Sequence, residues 1–171
     1  MVFEFHWTNK EANFGPPDEH EINMGTHFTI EIMLKHKGKF VAVRRPKGYL
    51  GHQLPPKAEK YPQGCLYFCH NLPRWGEKLP EAINRITMDQ IGTDVFDIKI
   101  KDLEMQTYPD DLHEDSNRQW AITLYVEVEL PKLPEINEAV TEVVQFDKDS
   151  VPEDMGWWEK EELKKFIESH N

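Results

Sequence analysis

The sequence predicts an α+β domain in which helices flank a mixed β-sheet. Three observations carry that expectation. Period-two alternation of apolar residues recurs in separated stretches, a helical stripe interrupts them, and a second helical stripe closes the chain. The 171 residues suit one domain, and a chain of this size buries a core without a metal or disulfide staple.

Residues 1–27 form a polar, irregular arm broken by Gly15-Pro16-Pro17. Phe3, Phe5, Trp7 and Phe14 give it the apolar content to pack on the body, residues 28–171. The first strand is Phe28–Leu34, with Phe28, Ile30, Ile32 and Leu34 on one face. Lys37-Gly38 reads as a hairpin turn into a second strand, Lys39–Arg45. Residues 46–64 are rich in Pro and Gly and too long for a plain connection, so they are functional or inserted. Cys65–Cys69 is a short strand.

Leu79–Ile91 is a helix whose Leu79, Ala82, Ile83, Ile86 and Gln90 share one side; Pro80 suits its first turn and Gly92 ends it. Strands follow at Asp97–Tyr108 and Gln119–Leu130, joined by the acidic loop Asp110, Asp111, Glu114 and Asp115 with His113. Trp120, Ile122, Leu124, Val126, Val128 and Leu130 alternate with polar positions. A further strand, Ala139–Phe146, precedes the closing helix Trp158–Ser169, with Leu163, Phe166 and Ile167 inward. The order β-β-β-α-β-β-β-α carries little sign of a parallel sheet.

The 31 acidic residues against 20 basic ones give a net charge of −11. That balance excludes nonspecific nucleic-acid binding, which needs a field of Lys and Arg. An anionic ligand then needs locally placed cations or a metal. No apolar run reaches the ~18–20 residues of a membrane span, and Met1–Lys10 has no signal-peptide pattern. The expected location is cytoplasmic. Cys65 and Cys69, ~13 Å apart if extended, are too far apart to bridge and are expected as buried thiols. The eight histidines are scattered and form no metal signature.

One stretch carries a chemical signal: His70-Asn-Leu-Pro-Arg-Trp-Gly-Glu77, then Lys78–Val95. It resembles the Nudix superfamily box, in which Gly, five residues and Glu are followed by seven residues and then Arg-Glu-apolar-x-Glu-Glu-x-Gly. Here Gly76-Glu77 and Arg85 match, followed by Ile86-Thr87-Met88-Asp89-Gln90-Ile91-Gly92. A hairpin ending in Arg44-Arg45 before the box, and Trp158-Glu-Lys-Glu-Glu-Leu163 after it, agree with the family. The resemblance implies an α/β/α sandwich and hydrolysis of a nucleoside diphosphate-linked small molecule, with Mg²⁺ or Mn²⁺ held by hard carboxylate oxygens. It also implies a homodimer as one possible assembly.

The departures are readable. Ile86 replaces the Glu after Arg, and Asp89-Gln90 replaces the Glu pair, while Asn71 stands at the opening Gly. On the resemblance, Asp89 and Gln90 are the metal ligands, with a carboxylate from the 110–115 loop. Arg44, Arg45 and His70 contact phosphate, Glu77 and Arg85 brace the loop on the helix, and Glu153 or His113 is the base. GDP-mannose mannosyl hydrolases carry Arg-Leu-Thr-Met-Ala-Glu-Leu-Gly in this helix, close to Arg85-Ile-Thr-Met-Asp-Gln-Ile-Gly92. That branch also lacks the Glu after Arg, but its metal-binding Glu falls on Gln90.

Plainer readings stand beside these. Asp89 and Gln90 are also what a solvated helix shows; Arg44, Arg45 and Lys47 a solvated strand end; the acidic loop a water-facing hairpin; Trp157-Trp158 a core anchor. Losing one preorganised charged contact costs on the order of 10²–10³ in rate. The expectation is therefore a weak metal-dependent hydrolase or, alternatively, a silent Nudix domain that binds a nucleotide or a protein.

Overall fold

The computed structural model describes residues 13–14, 26–46, 55–74, 76–107 and 120–170. Most of the N-terminal arm, Lys47, Trp75, His113 and the acidic loop at 110–115 lie outside the described residues.

In chain order the elements are β1 (Asn13–Phe14), β2 (Thr26–His36), β3 (Lys39–Arg44), a 3-10 turn (Pro56–Lys60), β4 (Leu66–Tyr67) and β5 (Cys69–Asn71). There follow α1 (Leu79–Ile91), β6 (Phe96–Thr107), β7 (Trp120–Glu129), β8 (Glu142–Phe146) and α2 (Lys160–Ser169). The eight strands among the described residues belong to one mixed sheet, with β4-β3-β2-β7-β6 in order and β1, β5 and β8 attached at its sides.

Alternation along the strands builds two cores. Ile30, Ile32 and Leu34 of β2 and Leu124, Val126 and Val128 of β7 face α1, where Ala82, Ile83, Ile86 and Ile91 cover them. Met33 points the other way and joins Phe40, Phe68 and Phe146 beneath Leu163 and Ile167 of α2. Each face thus has its own helix, which makes the domain an α/β/α sandwich.

Three expectations need correction. The sheet contains a long parallel pair: β2 and β7 run side by side from Thr26–Trp120 to Lys35–Glu129. Both strands alternate because the two faces bury different residues, so alternation here does not mark an antiparallel, half-wet sheet. The stretch expected as one strand at 65–69 is two. β4 pairs with β3 and β5 pairs with β2, and buried Phe68 carries the chain across. The last strand and last helix are shorter than expected, since Trp158 sits ahead of α2 as an anchor.

The edge of β2 away from β7 holds three partners. Thr26 and His27 pair with β1, Ile30–Ile32 with β5, and Leu34–His36 with β3. The sheet therefore opens between β3 and β5, and the end of α1 lies against β5 at this opening.

Candidate functional site

The beginning of α1 is fixed by a charged brace. Glu77 Oε1 accepts from Arg85 Nε at 2.6 Å, and its Oε2 accepts from Arg85 Nη2 at 2.9 Å and from the Arg74 backbone N–H at 2.6 Å. Arg85 Nη2 also donates to the Leu72 carbonyl at 3.0 Å. This two-pronged geometry is the strong form of an ion pair, and the Arg85 hydrogen bonds hold the Glu77 carboxyl below its ordinary range. The loop before the helix is thereby tied to the helix itself.

The end of α1 is held differently. Gln90 Nε2 donates to the His70 carbonyl at 2.6 Å, and Gln90 Oε1 accepts from the His70 backbone N–H at 3.2 Å. A primary amide has one donating and one accepting side, so it can satisfy both backbone groups of one strand residue at once. Arg45 lies beside this clamp. Its guanidinium is 2% exposed, and Nη2 donates to the Gln90 backbone carbonyl at 2.9 Å while lying 3.4 Å from Gln90 Oε1. A cation on the last-turn carbonyls also complements the helix dipole. Gly64 fixes the path of Arg45: its φ is +95°, and a Cβ there would stand 1.9 Å from the Arg45 carbonyl oxygen.

On the α2 side, Glu31 of β2 stands opposite His70 of β5. Its Oε1 accepts from Trp158 Nε1 at 3.2 Å, and its Oε2 is 4.0 Å from His70 Nδ1. Burial pushes the Glu31 carboxyl up to about 7. Burial and then the nearby Arg45 charge push His70 down to about 4, so its ring is neutral at pH 7. Burial likewise pushes the Cys69 thiol up to about 12, and both cysteines are free, buried thiols.

The other candidates are placed as follows. Arg44 is engaged by Glu142 at 2.6 Å, Asp154 at 2.5 Å and the Gly64 carbonyl at 2.8 Å. Glu153 is on the surface, its carboxylate 2.7 Å from Lys160 Nζ. Asp89 has a 60% exposed side chain 3.9 Å from Arg85 Nη1, and Ile86 is in the core at 0%. Trp157, whose ring meets His70 edge-on at 6.2 Å, lines an open surface depression of about 290 Å³ with Lys57, Lys60, Gly156 and Glu159.

No protein-family model and no curated protein sequence matches the chain. Solved structures do. A MutT protein from Methanosarcina mazei Go1 is similar with a TM-score of 0.54 at 11% identity, over 85% of this chain and 92% of that one. A MutT Nudix hydrolase from Burkholderia pseudomallei is similar with a TM-score of 0.53 at 12% identity, over 74% and 87%. A Nudix hydrolase from Nitrosomonas europaea is similar with a TM-score of 0.52 at 16% identity, over 83% and 70%. The fold is the Nudix fold.

The family resemblance implies a divalent metal on the box helix, and the described residues do not fit one. A hard cation takes several oxygens, at least some of them charged. Here Ile86 is buried hydrocarbon, the Gln90 amide is committed to His70, and a guanidinium lies against the Gln90 oxygen. Asp89 faces water on a different side of the helix. Among the described residues no three His, Cys, Asp or Glu side chains are grouped to hold a metal ion.

Sequence reasoning missed the Gln90–His70 clamp, the Asp154 partner of Arg44 and buried Glu31. Glu31 had one signal: it precedes Met33 on the strand face opposite Ile30 and Ile32, and the closing helix needs a face to cover.

Proposed function

We propose that this chain is a Nudix-fold binding module that takes a nucleotide-type ligand without a divalent cation and without hydrolysing it. The observation that carries this reading is the commitment of the Gln90 side chain to the backbone of His70, beside a buried arginine. The box position that would hold a metal has become a structural clamp, and the first box carboxylate has become core at Ile86.

The depression at Trp157 supports a ligand-binding role. Trp157 is 45% exposed and offers a flat face for a base. Lys60 is exposed at the rim, and Lys57 is held in place by the Trp158 carbonyl at 2.6 Å and Glu159 at 3.0 Å. With Lys57 offset by Glu159, Lys60 supplies the local positive charge that a chain of net charge −11 needs to receive an anion. A nucleotide sugar is the first ligand to test, because Arg85-Ile-Thr-Met88 is worded like the GDP-mannose branch.

The test is tryptophan fluorescence with nucleotide sugars, nucleoside di- and triphosphates and NADH, in chelator. Saturable quenching is expected, weakened at least tenfold by Trp157→Ala and several-fold by Lys60→Ala. Parallel assays with Mg²⁺ and Mn²⁺ are expected to show no hydrolysis. Robust metal-dependent turnover abolished by Asp89→Ala would restore the hydrolase reading.

A further inference from the structure

β6 is the last strand of the sheet: among the described residues it pairs only with β7. Its register on β7 slips twice, between Phe96 and Lys99 and between Ile100 and Asp102. The second slip has a consequence for its faces. Ile100, Leu103 and Met105 lie opposite Val126, Leu124 and Ile122; Val126 and Leu124 belong to the α1-side core, and alternation along β7 puts Ile122 on the same face. Without the slip, Leu103 and Met105 would face the other way. Together with Ile98, which packs partly on the α1-side core, they form one apolar stripe along the edge. Ile100 is 64% exposed, Leu103 55% and Met105 60%. An apolar row on an unpaired edge is a template for adding a strand.

We propose that β6 pairs antiparallel with β6 of a second copy of this chain, with the two-fold axis between Lys101 and Asp102. The residue pattern is self-complementary in that register. On the apolar face Ile98 meets the partner's Met105, and Ile100 meets the partner's Leu103. On the polar face Lys99 meets the partner's Glu104, and Lys101 meets the partner's Asp102. Lysines on an edge normally repel a new strand; here each one meets an acid across the axis. An isologous contact repeats every such pair twice.

Two of these polar groups are already engaged within the chain: Lys101, 18% exposed, lies 3.7 Å from Glu127, and Asp102 lies 3.4 Å from His170, so the Lys99–Glu104 pair carries most of the charge complementarity. Lys99 is 54% exposed and rests on Asp97 at 2.7 Å, while Glu104 accepts from the Tyr125 hydroxyl at 2.9 Å. Eight residues from each chain make a small interface, so the dimer is a weak, concentration-dependent one. The proposal is independent of what the depression at Trp157 binds.

Sedimentation velocity on the full chain, from low micromolar to submillimolar concentration, tests it. A reversible monomer–dimer equilibrium is expected. Lys99→Glu and Glu104→Lys should each weaken it at least tenfold, and the double charge reversal should restore it to within about threefold. Leu103→Asp should give a monomer with unchanged circular dichroism, since position 103 is exposed in the folded protein. A monomer at every concentration overturns the proposal. So does a dimer indifferent to Leu103→Asp, as when the N-terminal arm covers the stripe. Failure of the double reversal to restore pairing overturns the register and with it the proposal.

Discussion

Both halves of α1 set an arginine against a side-chain oxygen, and the two contacts differ in charge. Arg85 meets the Glu77 carboxylate in a two-pronged pair, whereas Arg45 meets a neutral amide that is itself occupied by His70. The first contact cancels its charges and needs nothing further. The second sets a buried guanidinium and a neutral amide at the position where the family resemblance implies a carboxylate. The comparison teaches that a motif can keep its bracing half and lose its chemical half, because the two are separate sets of side chains.

The largest expected effect tests the first half. Arg85→Ala leaves a mostly buried Glu77 carboxylate and the Leu72 carbonyl without their donor, and should cost about 3 kcal/mol in urea unfolding. Gln90→Ala tests the second half by exposing both backbone groups of His70 to loss of their partners, at about 2 kcal/mol. If Gln90→Ala were neutral, the clamp would be a bystander and the contrast between the halves would fail.

Next in size is a pH effect under the clamp. Glu31 is raised from 4.5 to about 7, so between those values the folded chain binds more protons than the unfolded one. Its contribution is fullest below about 4.5 and is lost as pH rises toward 7. His70 is lowered from 6.5 to about 4, so its contribution is present above 6.5 and lost as pH falls toward 4. The two slopes oppose each other where the windows overlap. Glu31→Gln keeps an acceptor for Trp158 and should leave stability rising with pH through the acid range. His70→Asn should leave stability falling with pH toward 7. Thermal midpoints measured from pH 4.5 to 8 would show the opposite tilts; parallel profiles for the two variants would contradict the assignment.

The smallest effect belongs to Asp89. Its carboxylate is exposed, and Asp89→Ala should change stability by less than about 0.5 kcal/mol and change Mn²⁺ affinity not at all.

The sequence made the layers legible where periodicity is strong. Leu79–Ile91 was readable to its ends because Pro80, the apolar stripe and Gly92 agree. The α1-facing residues of β2 and β7 were readable for the same reason. The parallel pairing of those strands was not, since register between segments about ninety residues apart leaves no local trace. At the site, the Glu77–Arg85 contact followed from spacing within one short segment. The role of Gln90 did not: its partner is a backbone, which carries no residue identity, and Arg45 arrives from the segment just past β3, distant in sequence.

The central claim is that the end of α1 holds a clamp and a guanidinium in place of a metal. Titrating Mn²⁺ into isotope-labelled protein and following backbone amide signals tests it most directly, because the ion broadens the signals of nearby nuclei. The account predicts that the His70, Gln90 and Ile91 signals stay sharp at metal concentrations where only exposed carboxylates respond weakly. Saturable one-to-one broadening centred on His70 and Gln90 would contradict it.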